Sequence, residues 1–182
     1  KDATLLYFRR SDEEPITPEN TNKPYGESPV STAMGAYFNK KAYTDPTLRR
    51  KYTRMGFWVN IRLIRYPDVL LMAAESANEK GLMGEASGYL EQVRAHARGT
   101  LTNVLPKVES LDQSVLREAI RHERRVELGL EPDRFYDLVR WGIAQEVLQA
   151  AGKNYQPKNA LLPLPQTEID KSNGVLVQNP DY

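Results

Sequence analysis

Cysteine is absent from the 182 residues, which excludes a disulfide scaffold, thiol catalysis and cysteine-ligated metal sites. Histidine is scarce. His96 and His122 fall on different predicted helices, so no metal site and no metal cofactor is expected. No apolar run approaches the ~18 residues that a membrane-spanning helix requires. The opening KDATLLYFRR also lacks the apolar core and small-residue cleavage site of a secretory leader. A surplus of either charge is missing too. Lys+Arg 25 against Asp+Glu 24 leaves a net charge of +1, without the basic footprint of a nucleic-acid binder. What remains is a chain with 40% hydrophobic residues, long enough for one domain with a core and short for two.

Residues 1–60 are rich in breakers, with Pro15, Pro18, Pro24, Gly26, Pro29, Gly35, Pro46 and Gly56, and read as long loops with a few short strands. Thr4–Phe8 and the alternating Phe57–Ile64 are the strand candidates. A connection of this length is functional or disordered as a rule, and its aromatic content argues for order. Flat aromatic faces stack on sugar C–H groups while neighbouring polar side chains orient hydroxyls. Tyr25, Tyr37 and Trp58 are the ligand-binding candidates, because Asn22, Asn39, Lys40, Asn60 and Arg62 lie near them in sequence. Core packing is the competing explanation for each.

Helical hairpins are expected over residues 61–151. Pro67 and Asp68 suit a first turn, Leu70, Leu71, Ala74 and Ala77 share a face, and Gly81 stops the helix. A second helix from Gly84 turns Ala86, Leu90, Val93 and Ala97 inward and ends at Gly99. The twelve-residue step from Ala74 to Ala86 is similar to a tetratricopeptide unit, in which small residues let antiparallel helices approach closely. Asp112 is a predicted N-cap. Ile143, Val147 and Leu148 continue a short helix to Ala151, and Thr167 with Asp170 fits a capping box. The tail 152–182 is irregular, yet Leu161, Leu162, Leu164, Ile169, Val175, Leu176 and Val177 predict that it packs on the helices.

The stretch Ser114–Gly142 places charge where a helix should be apolar. Val115, Leu116, Ala119, Val126 and Leu130 share a side, and Glu123 and Glu127 project into it. Buried carboxylates persist when paired, so Arg134 and Arg140, just beyond the break at Glu131-Pro132-Asp133, are the expected partners. Glu123, Glu127, Arg134, Asp137 and Arg140 therefore read as structural ion pairs. The alternative is a pair of catalytic carboxylates, as in glycoside cleavage. Arginines alternating with the acids favour the charged form of each and speak against it. No catalytic residues and no enzyme activity are expected.

Three runs carry a family resemblance. Within Ser114–Gly142, ER-x-x-EL followed by DR-x-x-DLVRWG resembles the C-terminal signature of SusD/RagB proteins. Ile64-Arg65-Tyr66-Pro67-Asp68-Val69-Leu70-Leu71-Met72-Ala73-Ala74-Glu75 resembles their Arg-Tyr-x-x-Val-Leu-Leu-Met-x-Ala-Glu segment. The closing Leu164-Pro165-Gln166-Thr167-Glu168-Ile169-Asp170 and Gln178-Asn179-Pro180-Asp181-Tyr182 resemble the Pro-x-Pro-x-x-Glu-Ile and terminal Gln-Asn-Pro-Gly-Tyr runs. The chain departs from the pattern at Pro132-Asp133, Ser172-Asn173-Gly174 and Asp181, all in turns or caps. The resemblance spans about residues 61–182 and implies the C-terminal part of a longer protein. It implies a mainly α fold of tetratricopeptide-like helical hairpins with long irregular loops and a few short strands. It further implies a non-catalytic Bacteroidetes lipoprotein on the external face of the outer membrane. Such a protein is anchored by lipid attached upstream of this chain, binds an oligosaccharide and delivers it to a SusC-like TonB-dependent transporter. The hairpins alone equally fit a helical-repeat adaptor for a protein ligand. A helical-toroid glycoside hydrolase is the third reading.

Overall fold

The computed structural model describes residues 5–7, 37–42, 62–101 and 103–182. Two compact units divide the chain, 1–130 and 131–182, and the boundary falls at the break expected at Glu131-Pro132-Asp133.

In the first unit, strand β1 (Leu5–Tyr7) pairs antiparallel with β2 (Tyr37–Asn39), setting Leu5 opposite Asn39 and Tyr7 opposite Tyr37. β1 lies inside the expected Thr4–Phe8. A single 3-10 turn, Lys40–Ala42, follows β2. The other strand candidate, Phe57–Ile64, lies outside the described residues up to Ile61, and Arg62–Ile64 is not a strand.

Helix α1 (Tyr66–Glu79) starts where Arg65 is still extended and Pro67 sits in the first turn, a position where a missing amide costs no hydrogen bond. It ends at Gly81, whose φ of 79° turns the chain so that Leu82 N donates to Ala77 O at 2.9 Å. Helix α2 (Met83–Arg98) follows and ends at Gly99. Helix α3 (Gln113–Glu127) is capped as predicted. Asp112 Oδ1 accepts from the amides of Ser114 and Val115 at 2.9 and 3.0 Å, satisfying donors that no helix carbonyl can reach.

The core forms among these three helices, with Leu71, Ala74, Ala86, Leu90, Leu116 and Ile120 closed to solvent. Ala74 and Ala86 are the small residues expected at the crossing. Ala97 stays exposed. The phase of α3 needs correction. Its inward residues are Leu116, Ile120, Glu123 and Arg124, whereas Val115, Val126 and Leu130 are 49%, 52% and 52% exposed. Counting apolar residues rotated the helix by about one position, and each position is ~100° of helix. The true stripe follows 116, 120, 123 and 124 and includes two charged residues.

The second unit holds α4 (Arg134–Arg140), α5 (Ala144–Ala150), a 3-10 turn at Pro157–Ala160 and α6 (Gln166–Lys171). Gly142, at φ 71°, lets Ile143 N reach Leu138 O at 3.1 Å, so α5 can fold against α4. Leu138, Ala144 and Tyr155 form the core, with Val139, Ile143, Val147 and Leu148 packed around them. Of the tail, Tyr155 is buried, while Leu161, Leu162, Val175 and Val177 are exposed. The tail binds itself through polar groups. Gln178 exchanges two hydrogen bonds with the Leu164 backbone at 2.8 and 2.9 Å, and the Tyr182 hydroxyl meets Leu161 O at 3.0 Å. Side-chain amides thereby do what a second strand would do. The predicted capping box is not formed: α6 starts at Gln166 after Pro165, and Asp170 instead accepts from Gln166 Nε2.

Candidate functional site

The charged side of α3 is built from three elements. Glu123, almost wholly buried, receives Arg94 Nη1 of α2 at 2.6 Å. The same guanidinium donates through Nε and Nη2 to Pro106 O at 3.3 and 2.9 Å. One turn lower on α2, Arg98 grips both carboxylate oxygens of Glu91 at 2.9 and 3.2 Å and donates to Leu105 O at 2.7 Å. The Glu91 carboxyl is held below the usual glutamate range, first by its hydrogen bond to Arg98, with burial opposing. Arg124, buried beside Glu123, donates to Asp68 Oδ1 of α1 at 2.8 Å. Glu127 takes Arg65 Nη1 at 2.8 Å, from the residue that precedes α1.

Within the first unit, Glu123 meets Arg94 and Glu127 meets Arg65, two arginines that are not among the expected partners. Proximity in sequence does not reveal them, because a helical hairpin sets distant residues side by side. Their phase was a usable signal. Arg94 lies four residues after the core residue Leu90, and Asp68 lies three before Leu71, so each shares a buried face. In the second unit, Arg140 donates through Nε and Nη2 to Asp137 Oδ1 at 2.9 and 2.8 Å. Arg134 and Arg140 both approach the ring of Trp141, at 5.9 and 4.9 Å. Guanidinium-bound carboxylates of this kind lock elements together.

At the C-terminal end of α3 the lattice reaches the loop-rich segment. Lys41 Nζ donates to Glu127 O at 2.5 Å and Arg65 Nη2 to the same oxygen at 3.0 Å. Asn39 Nδ2 donates to Leu130 O at 3.1 Å, while Asn39 Oδ1 accepts from Lys41 N at 3.0 Å. Asn39, near Tyr37 in sequence and expected to orient sugar hydroxyls, has its amide engaged with the backbone. Of the three ligand-binding candidates, Tyr37 lies in β2, described by its backbone, and Tyr25 and Trp58 lie outside the described residues. Among the described residues no His, Asp and Glu group is arranged to hold a metal ion, and no helix is long and apolar enough to cross a membrane.

The sequence profile of the SusD family matches residues 11–182. SusD-like protein P25 of Formosa agariphila is 39% identical over 153 residues, covering 80% of this chain and 27% of that protein. SusD-like protein P2 of the same organism is 36% identical over 127 residues, covering 65% and 25%. A SusD homolog from Bacteroides thetaiotaomicron, solved by crystallography, is 29% identical. It superposes with a TM-score of 0.61 over 73% of this chain and 30% of its own. The chain therefore spans about a quarter of the length of the curated relatives it matches.

Proposed function

This chain belongs to the SusD family, and from that membership we propose that it is part of a non-catalytic, glycan-binding protein of the cell surface. The reading rests on one observation: the family match runs through both structural units, from residue 11 to residue 182. In this reading the protein is lipid-anchored on the external face of the outer membrane, captures an oligosaccharide and delivers it to a SusC-like TonB-dependent transporter. Tyr25, Tyr37 and Trp58 supply stacking faces from the loop-rich segment, and the helices serve as scaffold. The scaffold role is supported by the lattice at α3 and by the Asp137–Arg140 pair, in which each acid meets a guanidinium.

The test is a printed array of neutral and acidic oligosaccharides probed with the labelled protein. Retention on a related set of glycans supports the reading. Retention of no glycan, with capture of a polypeptide ligand instead, favours the helical-repeat adaptor. The non-catalytic part is checked by following reducing ends after incubation with the retained glycans. Release above a heat-killed control that vanishes in Glu123→Gln or Asp137→Asn would show hydrolysis.

A further inference from the structure

The geometry points to Asn39, Lys41 and Arg65 as positioning residues that fix the ligand-carrying segment onto the C-terminal end of α3; this rests on the glycan-binding reading above. An α-helix leaves its last carbonyls without helical partners, and its C-terminus carries a partial negative charge. Helices commonly meet this need locally, with a glycine turn. Here Glu127 O is met instead by two cations from outside the helix, Lys41 at 2.5 Å and Arg65 at 3.0 Å. Arg65 adds an ion pair with the Glu127 carboxylate, a charge-assisted contact with a directional fork. Lys41 stands in the 3-10 turn that directly follows β2.

The backbone beyond the helix is shaped for the same contact. Leu130 has φ 66°, a left-handed conformation that a branched side chain adopts at a cost and keeps only when its surroundings demand it. The carbonyl of that residue is the one Asn39 grips, 91 positions away in sequence. Asn39 Oδ1 in turn accepts from the Lys41 backbone amide, so the Asn39 side chain also fixes the turn that carries Lys41. β2 is anchored at its end by two side-chain-to-carbonyl bonds, from Asn39 and Lys41, with Arg65 sharing the Glu127 oxygen, and Tyr37 lies two residues from the anchor in the same strand. Among the described residues the strand's other tie is its three-residue pairing with β1, which is marginal by itself.

The experiment compares wild type with Asn39→Ala, the double variant Asn39→Ala/Lys41→Met, and Lys41→Arg. Two readouts are used: amide hydrogen exchange over residues 37–42 and binding to the same printed oligosaccharide array. Tyr25→Ala, Tyr37→Ala and Trp58→Ala run in parallel, each checked for folding by circular dichroism. The double variant should lose exchange protection over 37–42 and bind the array roughly tenfold more weakly, as expected on releasing charge-assisted hydrogen bonds. Asn39→Ala should be intermediate, and Lys41→Arg should retain both properties. Unchanged protection in the double variant would overturn the clamp without reference to any ligand. Lost protection with unchanged array binding, while an aromatic variant fails to bind, would overturn the positioning role and leave the glycan reading standing. Normal binding by all three aromatic variants would remove the ligand role of the segment, and the inference with it.

Discussion

Two arginines of α2 each hold a carboxylate and a loop carbonyl with one guanidinium, so each joins a helix, its acid partner and the 103–108 connection at a single point. The two should behave differently when disturbed. Arg94→Met leaves Glu123 buried without its cation and should cost about 3–5 kcal/mol, whereas adding Glu123→Leu should recover most of that loss. Urea unfolding of the two variants measures both. A single variant within ~0.5 kcal/mol of wild type would show that the pair bears no strain on breaking. The Arg98–Glu91 pair is more open to water, and its effect is one of pH. The folded-state carboxyl of Glu91 lies below its ordinary value of 4.5, so the folded protein binds fewer protons than the unfolded chain in that interval. Its contribution is present above 4.5 and is lost as the pH falls through the lower, folded value. Glu79, held down by its hydrogen bond to Arg117, acts in the same sense. Thermal melts from about pH 7 to about pH 3 should therefore fall less steeply in Glu91→Gln than in wild type. An equal fall would assign the acid sensitivity to other groups.

At the scale of elements, the α1–α2 hairpin depends on what is missing from two side chains. Ala74 and Ala86 are closed to solvent, and the helices approach over them. Ala74→Leu should destabilise by about 1–3 kcal/mol through overpacking, seen as a lower urea midpoint. The same change at the exposed Ala97 should have little effect, and this contrast separates packing from helix propensity. The end of α3 has the opposite character, since its conformation is strained. Leu130 is half exposed at positive φ, so Leu130→Gly gives up only part of a leucine's burial while relieving a left-handed penalty of roughly 1–2 kcal/mol. It should raise stability by roughly 0.5–1 kcal/mol. A loss of more than that would mean that the Leu130 side chain contributes packing beyond its half-exposed surface.

At the scale of the whole molecule, the proposed division between ligand-carrying loops and helical scaffold predicts a contrast among aromatic variants. Trp141 lies against two guanidiniums in the second unit, so Trp141→Ala should lower stability and leave glycan binding intact. Tyr25→Ala, Tyr37→Ala or Trp58→Ala should each weaken binding by on the order of 1 kcal/mol where it removes a stacking contact. Calorimetric titration of the folded variants checks this, and loss of binding in Trp141→Ala alone would reverse site and scaffold. Much of this architecture is already determined by local sequence. Pro67 and Gly81 bracket α1, Asp112 caps α3, Pro132 marks the break before α4, and Ala74 and Ala86 mark a close crossing. Each of these acts within a few residues of itself, through fixed φ, a missing amide or a short side chain, so no distant contact is needed to read it. The helical periodicity of apolar residues likewise specifies the faces of α1 and most of α2. Tertiary structure alone decided the rotation of α3, because charged residues occupy half of its buried stripe and an apolar count cannot see them. It also decided which arginine meets which acid. Glu123 finds Arg94 and Glu127 finds Arg65 across 29 and 62 positions, and several cations satisfy the same local chemistry. Only the close packing of α1, α2 and α3 selects among them.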